Sequence, residues 1–218
     1  QSGTTRAGLT GITGGNNVAA QDLTINGQVA KTLTIAADST AKQIATLING
    51  VSDSTGVAAT ARTNATLGGL SQDGVVSLTL NGQTISANVT TTNLTELANA
   101  INSKTGATGV VATLDITKTK ISLLHATGED ITFKDFSSSA TTTATLAVAG
   151  SAGATTKLTS GSTDSSVIGA DVEFKSTGGY FSVKSSIAAS AGGLFTGAAA
   201  ALQASVKNTV GLIDVNSV

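Results

Sequence analysis

Few side chains in this sequence have the type and spacing for chemistry. His125 is the only histidine, so any Ser-His-Asp relay must run through it, yet no Gly-x-Ser-x-Gly elbow accompanies it. An ordinary strand histidine is the simpler reading. Carboxylates cluster as Glu129-Asp130 and as Asp171-x-Glu173. A glycosidase needs two carboxylates flanking its substrate, but Asp171 and Glu173 are same-face strand neighbours beside Lys175, the pattern of a solvated sheet face. Asp53-x-Thr55-Gly56 could open a calcium loop, but the further oxygen ligands and the closing bidentate Glu do not follow. Gly14-Gly15, Gly68-Gly69, the Gly150 and Gly153 pair and Gly192-Gly193 lack the trailing Lys-Ser/Thr of a phosphate-binding loop and read as hinges or turns. Asn64-Ala-Thr66, Asn88-Val-Thr90 and Asn93-Leu-Thr95 match an Asn-glycosylation pattern that arises often by chance in a Thr-rich chain. The sequence thus predicts no catalytic, cofactor-binding or metal-ligating residues, no cofactor and no enzyme.

Composition narrows the classes further. Only 11% of the 218 residues are charged, against about 25% in an ordinary soluble domain, and the net charge is -1. Nucleic acid is excluded as an expected partner. Aromatic residues make up 3%, so base-stacking platforms and aromatic-lined pockets have little material. With no Cys there is no disulfide or thiolate chemistry. No apolar run approaches the roughly 18 residues of a membrane-spanning helix, and no membrane partner is expected. Gln1 to Thr10 lacks the blocks of a signal peptide and the chain has no Met, so an excised fragment or processed product is expected.

The elements must then come from patterning, and the strongest signal is a repeat. Leu23-Thr24-Ile25-Asn26-Gly27-Gln28 returns as Leu78-Thr79-Leu80-Asn81-Gly82-Gln83, a shift of 55 (81 less 26). In each copy Asn-Gly lies between β-favouring residues, which predicts a hairpin with a type I′ turn. Thr40 and Gln43 have capping-box spacing, followed by Ile44, Leu47 and Ile48 on one helical face and by Asn49-Gly50. The second copy offers Asn93 and Glu96 as cap pair, then Leu97, Ala98 and Ile101 inward, then Asn102, at a shift of 53 (102 less 49). Thr55-Gly56-Val57 and Thr108-Gly109-Val110 follow, leading into alternating strands. The unit is hairpin, helix, strand, and the two-residue change of shift is expected between hairpin and helix cap.

Beyond the second copy, Ile116 to His125 and Ile131 to Phe136 read as strands, with polar turns at Thr117 to Lys120 and Gly128 to Asp130. Ser137 to Ser166 is rich in Ser, Thr, Ala and Gly, with weak strand signals at Leu146 to Val148 and Lys157 to Thr159, and reads as surface loop or thin edge. Val172 to Lys175 and Tyr180 to Lys184 flank Gly178-Gly179 as a hairpin. Leu194, Ala198, Leu202 and Val206 predict a helix over Leu194 to Val210.

The Ile25-Asn26-Gly27 turn, the helix ends Ile48-Asn49 and Ile101-Asn102 and the Thr-Gly-Val steps resemble the IN repeat of flagellins and flagellar capping proteins, over residues 20 to 136. Ser205-Val206-Lys207 through Ile213-Asp214-Val215 resembles the point where a flagellin chain returns to its filament-core helices. The resemblance implies a structural, antigenic region on the outside of a bacterial flagellar filament. Its implied partners are neighbouring flagellin subunits, contacted through arms mostly absent here, and antibodies. The implied location is extracellular, and the absence of heptad runs predicts a monomeric fragment. The equivalent region of a capping or hook-associated protein is the nearest alternative. An adhesin using Tyr180, Phe181 and the acidic pair is another. The expected fold is α+β and β-rich, with short helices on small antiparallel sheets. Residues 1–70 plus 137–218 are expected to form a discontinuous inner subdomain, into which 71–136 are inserted as an outer one.

Overall fold

The computed structural model describes residues 5–7, 15–151, 155–162, 164–176, 179–195 and 198–205. A short strand, β1 (Thr5–Ala7), precedes the first repeat, which forms β2 (Gln21–Asn26), β3 (Ala30–Ile35), α1 (Ala41–Asn49), α2 (Ser52–Thr55) and the long β4 (Val57–Gly68). The second repeat forms β5 (Gly74–Leu80), β6 (Gln83–Val89), α3 (Thr95–Ser103), α4 (Thr105–Thr108) and β7 (Val110–Leu114). Then follow β8 (Lys120–His125), β9 (Ile131–Ser138), β10 (Thr145–Gly150), β11 (Thr155–Thr159), β12 (Ser166–Ile168), β13 (Asp171–Ser176), β14 (Ser182–Ser185) and β15 (Gln203–Ala204). Every strand pair is antiparallel, and the fold is α+β with short helices on β-sheets.

Each repeat forms its elements for legible reasons. Thr40 accepts from the Gln43 N–H while the Gln43 side chain accepts from the Thr40 N–H, so the capping box of α1 is complete. Ile44, Ala45 and Ile48 of α1 and Leu97, Ala98 and Ile101 of α3 are buried. The short helices α2 and α4 end at Gly56 (φ 69°) and Gly109 (φ 71°), left-handed positions that cost glycine little. Chain reversal there sends β4 and β7 back along their helices.

The strands form three sheets, ordered β1-β12-β9-β5-β6, then β11-β10-β4-β8-β7 with β13 also on β4, then β15-β14-β2-β3. The first two sheets and α3 share the larger core, which includes Leu67, Leu80, Leu97, Ile121, Phe133 and Leu146. The smaller core gathers Leu23, Ile25, Ile44, Ile48, Val57 and Val183. The weak strand signals within 137–166 are real strands, and Leu146, Val148 and Leu158 belong to the larger core. Along β4, Val57 and Ala59 face the smaller core while Ala65 and Leu67 face the larger one. One strand therefore serves both.

Later strands complete the two repeats in matching register. Val57 pairs with Ser176 as Val110 pairs with His125, and Ala59 with Phe174 as Ala112 with Leu123. Likewise Ile25 pairs with Val183 as Leu80 pairs with Phe133, and Thr24 with Lys184 as Thr79 with Lys134. Strands β13 and β14 thus stand to the first repeat as β8 and β9 stand to the second.

Several local expectations change. The Asn81-Gly82 turn has two central residues at φ 44° and 79°, as a type I′ hairpin requires. The first hairpin instead pairs Asn26 with Ala30 across a three-residue loop, whose Gln28 and Val29 amides donate to Thr55 and Ser54 carbonyls at 2.8 and 3.2 Å. Binding α2 takes priority over the tight turn, so part of the length difference between the copies falls inside the hairpin. Leu47 is 41% exposed, because the packing face runs through Ile44, Ala45 and Ile48 and Leu47 lies about 110° around the helix from its centre. Asn93 does not form the capping box with Glu96. Leu94 is drawn fully into the core, and Asn93 accepts from the Thr95 N–H at 3.0 Å in an Asx turn. Strands β13 and β14 do not pair with each other, since one joins β4 and the other β2. Of the helix expected over Leu194 to Val210, the described residues make turns and β15. There the Ala200 and Ser205 amides donate to Ser185 and Phe181 across β14. Val206 to Val210, and the filament-return stretch beyond Ser205, lie outside the described residues.

Candidate functional site

The polar chemistry concentrates where the second repeat meets the first. The turn between β8 and β9 reaches the first turn of α1. The Lys42 N–H donates to the Gly128 carbonyl at 3.0 Å, and Lys42 Nζ stands 2.9 Å from Glu129 Oε1. Thr63, fully buried on β4 between the two cores, donates its hydroxyl to the Glu129 carbonyl. Asn16 Nδ2 donates to Asp130 Oδ1 at 3.1 Å and to the Ser39 carbonyl at 3.0 Å. A Cβ at Gly128 would lie 2.4 Å from Ala61 Cβ, so only glycine lets the turn lie this close to β4.

Electrostatics at this joint follow from burial and pairing. The hydrogen bond from Lys42 holds the Glu129 carboxyl below its usual range, with the neighbouring Thr40 adding to the effect. Desolvation pushes Asp130 the other way, up to about 6, reinforced by the charges of Glu129 and Asp38 and opposed by the Asn16 hydrogen bond. Burial likewise lowers His125. Its ring lies over Gly109, where a Cβ would come within 2.2 Å of Nε2, and Nδ1 is 3.3 Å from Thr127 Oγ1. The imidazole therefore packs the seam between the β8–β9 turn and the end of α4, and the Thr127 hydroxyl beside it belongs to its own turn.

The remaining sequence-selected residues are dispersed. Asp171 accepts from the Ser151 hydroxyl at 3.1 Å, and Glu173 pairs with Lys175 at 3.3 Å, as a solvated strand face does. Tyr180 is 76% exposed, whereas Phe181 turns inward to Phe174, ring centres 6.4 Å apart, so the two do not share a ligand surface. The Thr55 hydroxyl is spent on the Val51 carbonyl at 3.0 Å. Among the described residues no group of three or more His, Asp or Glu side chains could hold a metal ion.

Sequence reasoning placed Asn49 and Asn102 at the helix ends but missed that they organise each repeat. Asn49 at the end of α1 donates to the Ala59 carbonyl at 2.9 Å and accepts from the Ala59 N–H at 2.8 Å. Asn102 at the end of α3 treats Ala112 identically, at 2.9 and 2.8 Å. A side-chain amide carries the same donor and acceptor as a peptide group, so each Asn pins its helix to the following strand like one residue of a partner strand. The recurrence of both Asn and both Ala at a shift of 53 (102 less 49, 112 less 59) was the available signal.

With this geometry in place, comparison with known proteins gives the motif a name. Two segments, residues 22–71 and 77–123, match the flagellin hook IN motif. The chain thus carries two segments that match the flagellin IN motif, one on each repeat unit. Among solved structures, the D2-D3 domains of the flagellar cap protein FliD from Escherichia coli align over 80% of this chain and 99% of that chain, at 11% identity and a TM-score of 0.22. A TM-score that low does not establish a common arrangement. No curated protein matches the chain.

Proposed function

We propose that this region is the outward-facing part of a flagellin, projecting from the filament into the medium, with the second IN unit carried as an outer subdomain inserted into the first. The observation that carries the reading is the pair of flagellin IN motifs held together by a shared strand and a bonded joint. The role is mechanical and surface-chemical. Two cores bridged by β4 make a stiff projection, and its weakly charged, Ser/Thr-rich exterior is what neighbouring subunits and antibodies meet. The region itself remains monomeric and performs no chemical step.

Immunogold electron microscopy of cells of the source organism, with antibodies raised against residues 1–218 and a flagellum-less control, tests the reading. Gold along the whole filament is expected. Gold confined to the tip would move the assignment to a capping protein, and bare filaments with accessible epitopes would reject both.

A further inference from the structure

Three Asn-Gly steps occur in the chain, at Asn26-Gly27, Asn49-Gly50 and Asn81-Gly82. Such a step is chemically labile. The glycine backbone nitrogen attacks the Asn Cγ, the side-chain nitrogen leaves as ammonia, and a succinimide closes. Water then opens the ring to aspartate or isoaspartate. The reaction needs a side-chain amide free to swing and a following N–H free to attack, and the three sites differ in how firmly the side-chain amide is held.

Asn49 is held at both ends by Ala59, and the Gly50 N–H donates to the Thr46 carbonyl at 3.0 Å. Asn81 donates to the Thr108 carbonyl at 3.0 Å and accepts from the Thr132 amide at 2.8 Å and the Thr132 hydroxyl at 3.2 Å. Asn26, by contrast, has one side-chain hydrogen bond among the described residues, from Nδ2 to Ser182 Oγ at 3.2 Å, and it opens the three-residue loop of the first hairpin. We propose that Asn26 is a spontaneous modification site, the first Asn in this protein to be converted by water to aspartate and isoaspartate.

The product has structural consequences at this place. Aspartate loses the donor to Ser182 and adds a negative charge at the β2–β14 pairing. Isoaspartate routes the backbone through the former side chain, adding a methylene where β2 turns into β3. On the reading of the region as an exposed part of the filament, which this consequence alone rests on, converted subunits would accumulate with filament age.

The test uses the full chain, incubated in mildly alkaline buffer made with heavy-oxygen water and followed by peptide mapping with mass spectrometry. Because Asn81 must break three bonds where Asn26 breaks one, conversion at Asn26 is expected to exceed that at Asn81 and Asn49 by about tenfold or more. Ser182→Ala should quicken Asn26 alone. In concentrated denaturant all three sites should convert at similar rates. Equal native rates, or Asn81 first, would overturn the proposal, as would a ranking that persists unchanged in denaturant. None of these readings depends on where in the flagellum the protein resides.

Discussion

The two repeats build one plan from different material. The first repeat closes its hairpin with a three-residue loop tied to α2, whereas the second uses a two-residue turn and lets the Asn81 side chain reach the equivalent carbonyl, Thr108 in place of Thr55. The first repeat is completed by β13 and β14, more than a hundred residues downstream, while β8 and β9 complete the second at once. Its core is also poorer, with Val183 standing where the other has the fully buried Phe133. The shared features, the helix-end Asn and the left-handed glycine before the strand, define the unit. The hairpin and the core filling are where it can vary.

The largest effect should come from that core pair. Phe133→Ala is expected to destabilise the second repeat by roughly 3–5 kcal/mol, and Val183→Ala the first by about 2 kcal/mol, measured by urea unfolding with probes in each repeat. Equal losses would mean that the two cores do not differ as described. Next, Asn49→Ala and Asn102→Ala each leave one strand N–H and one carbonyl unpaired, at a cost of roughly 2–4 kcal/mol. Since the two anchors have the same geometry, similar costs are expected in separate units. A neutral result at either would show that water replaces the anchor there.

A smaller, pH-dependent effect belongs to the joint. The folded pKa of Asp130 is raised above its ordinary 3.8 to about 6, so its contribution is fully present below 3.8 and is lost as pH rises through about 6. Asp130→Asn should remove that loss, so the stability difference between variant and parent should shift in the variant's favour across this window. Parallel pH profiles would contradict the assignment. The smallest effect is expected from the Lys42–Glu129 pair, whose side chains are 51% and 37% exposed. A double-mutant cycle should give about 0.2–1 kcal/mol of coupling, shrinking with added salt.

Much of the second repeat was legible because its signals are local. The alternation of Val76, Leu78 and Leu80, the Asn81-Gly82 turn and the inward Leu97, Ala98 and Ile101 all lie within a few residues of the element they specify. What the sequence hid is non-local. Val172 and Phe174 read correctly as a strand, but nothing near them says that β4 rather than β14 is the partner. In Ser137 to Ser166 the core-forming residues Leu146, Val148 and Leu158 are separated by small polar side chains, too sparse to stand out as strands. The joint was hidden for the same reason, because Lys42, Thr63 and Glu129 come from three distant segments. Even so, Glu129-Asp130 drew attention as a polar turn.

The length of β4 has a consequence in time as well as in space. Its first half waits for β13, so the first repeat cannot complete its sheet until residues 171–176 have been delivered, whereas the second repeat closes through neighbours in sequence. Contacts between distant segments carry a greater loop-closure cost and form more slowly. The second repeat should therefore settle first and hold the second half of β4 in place as a template. Folding would then proceed from the second repeat back to the first.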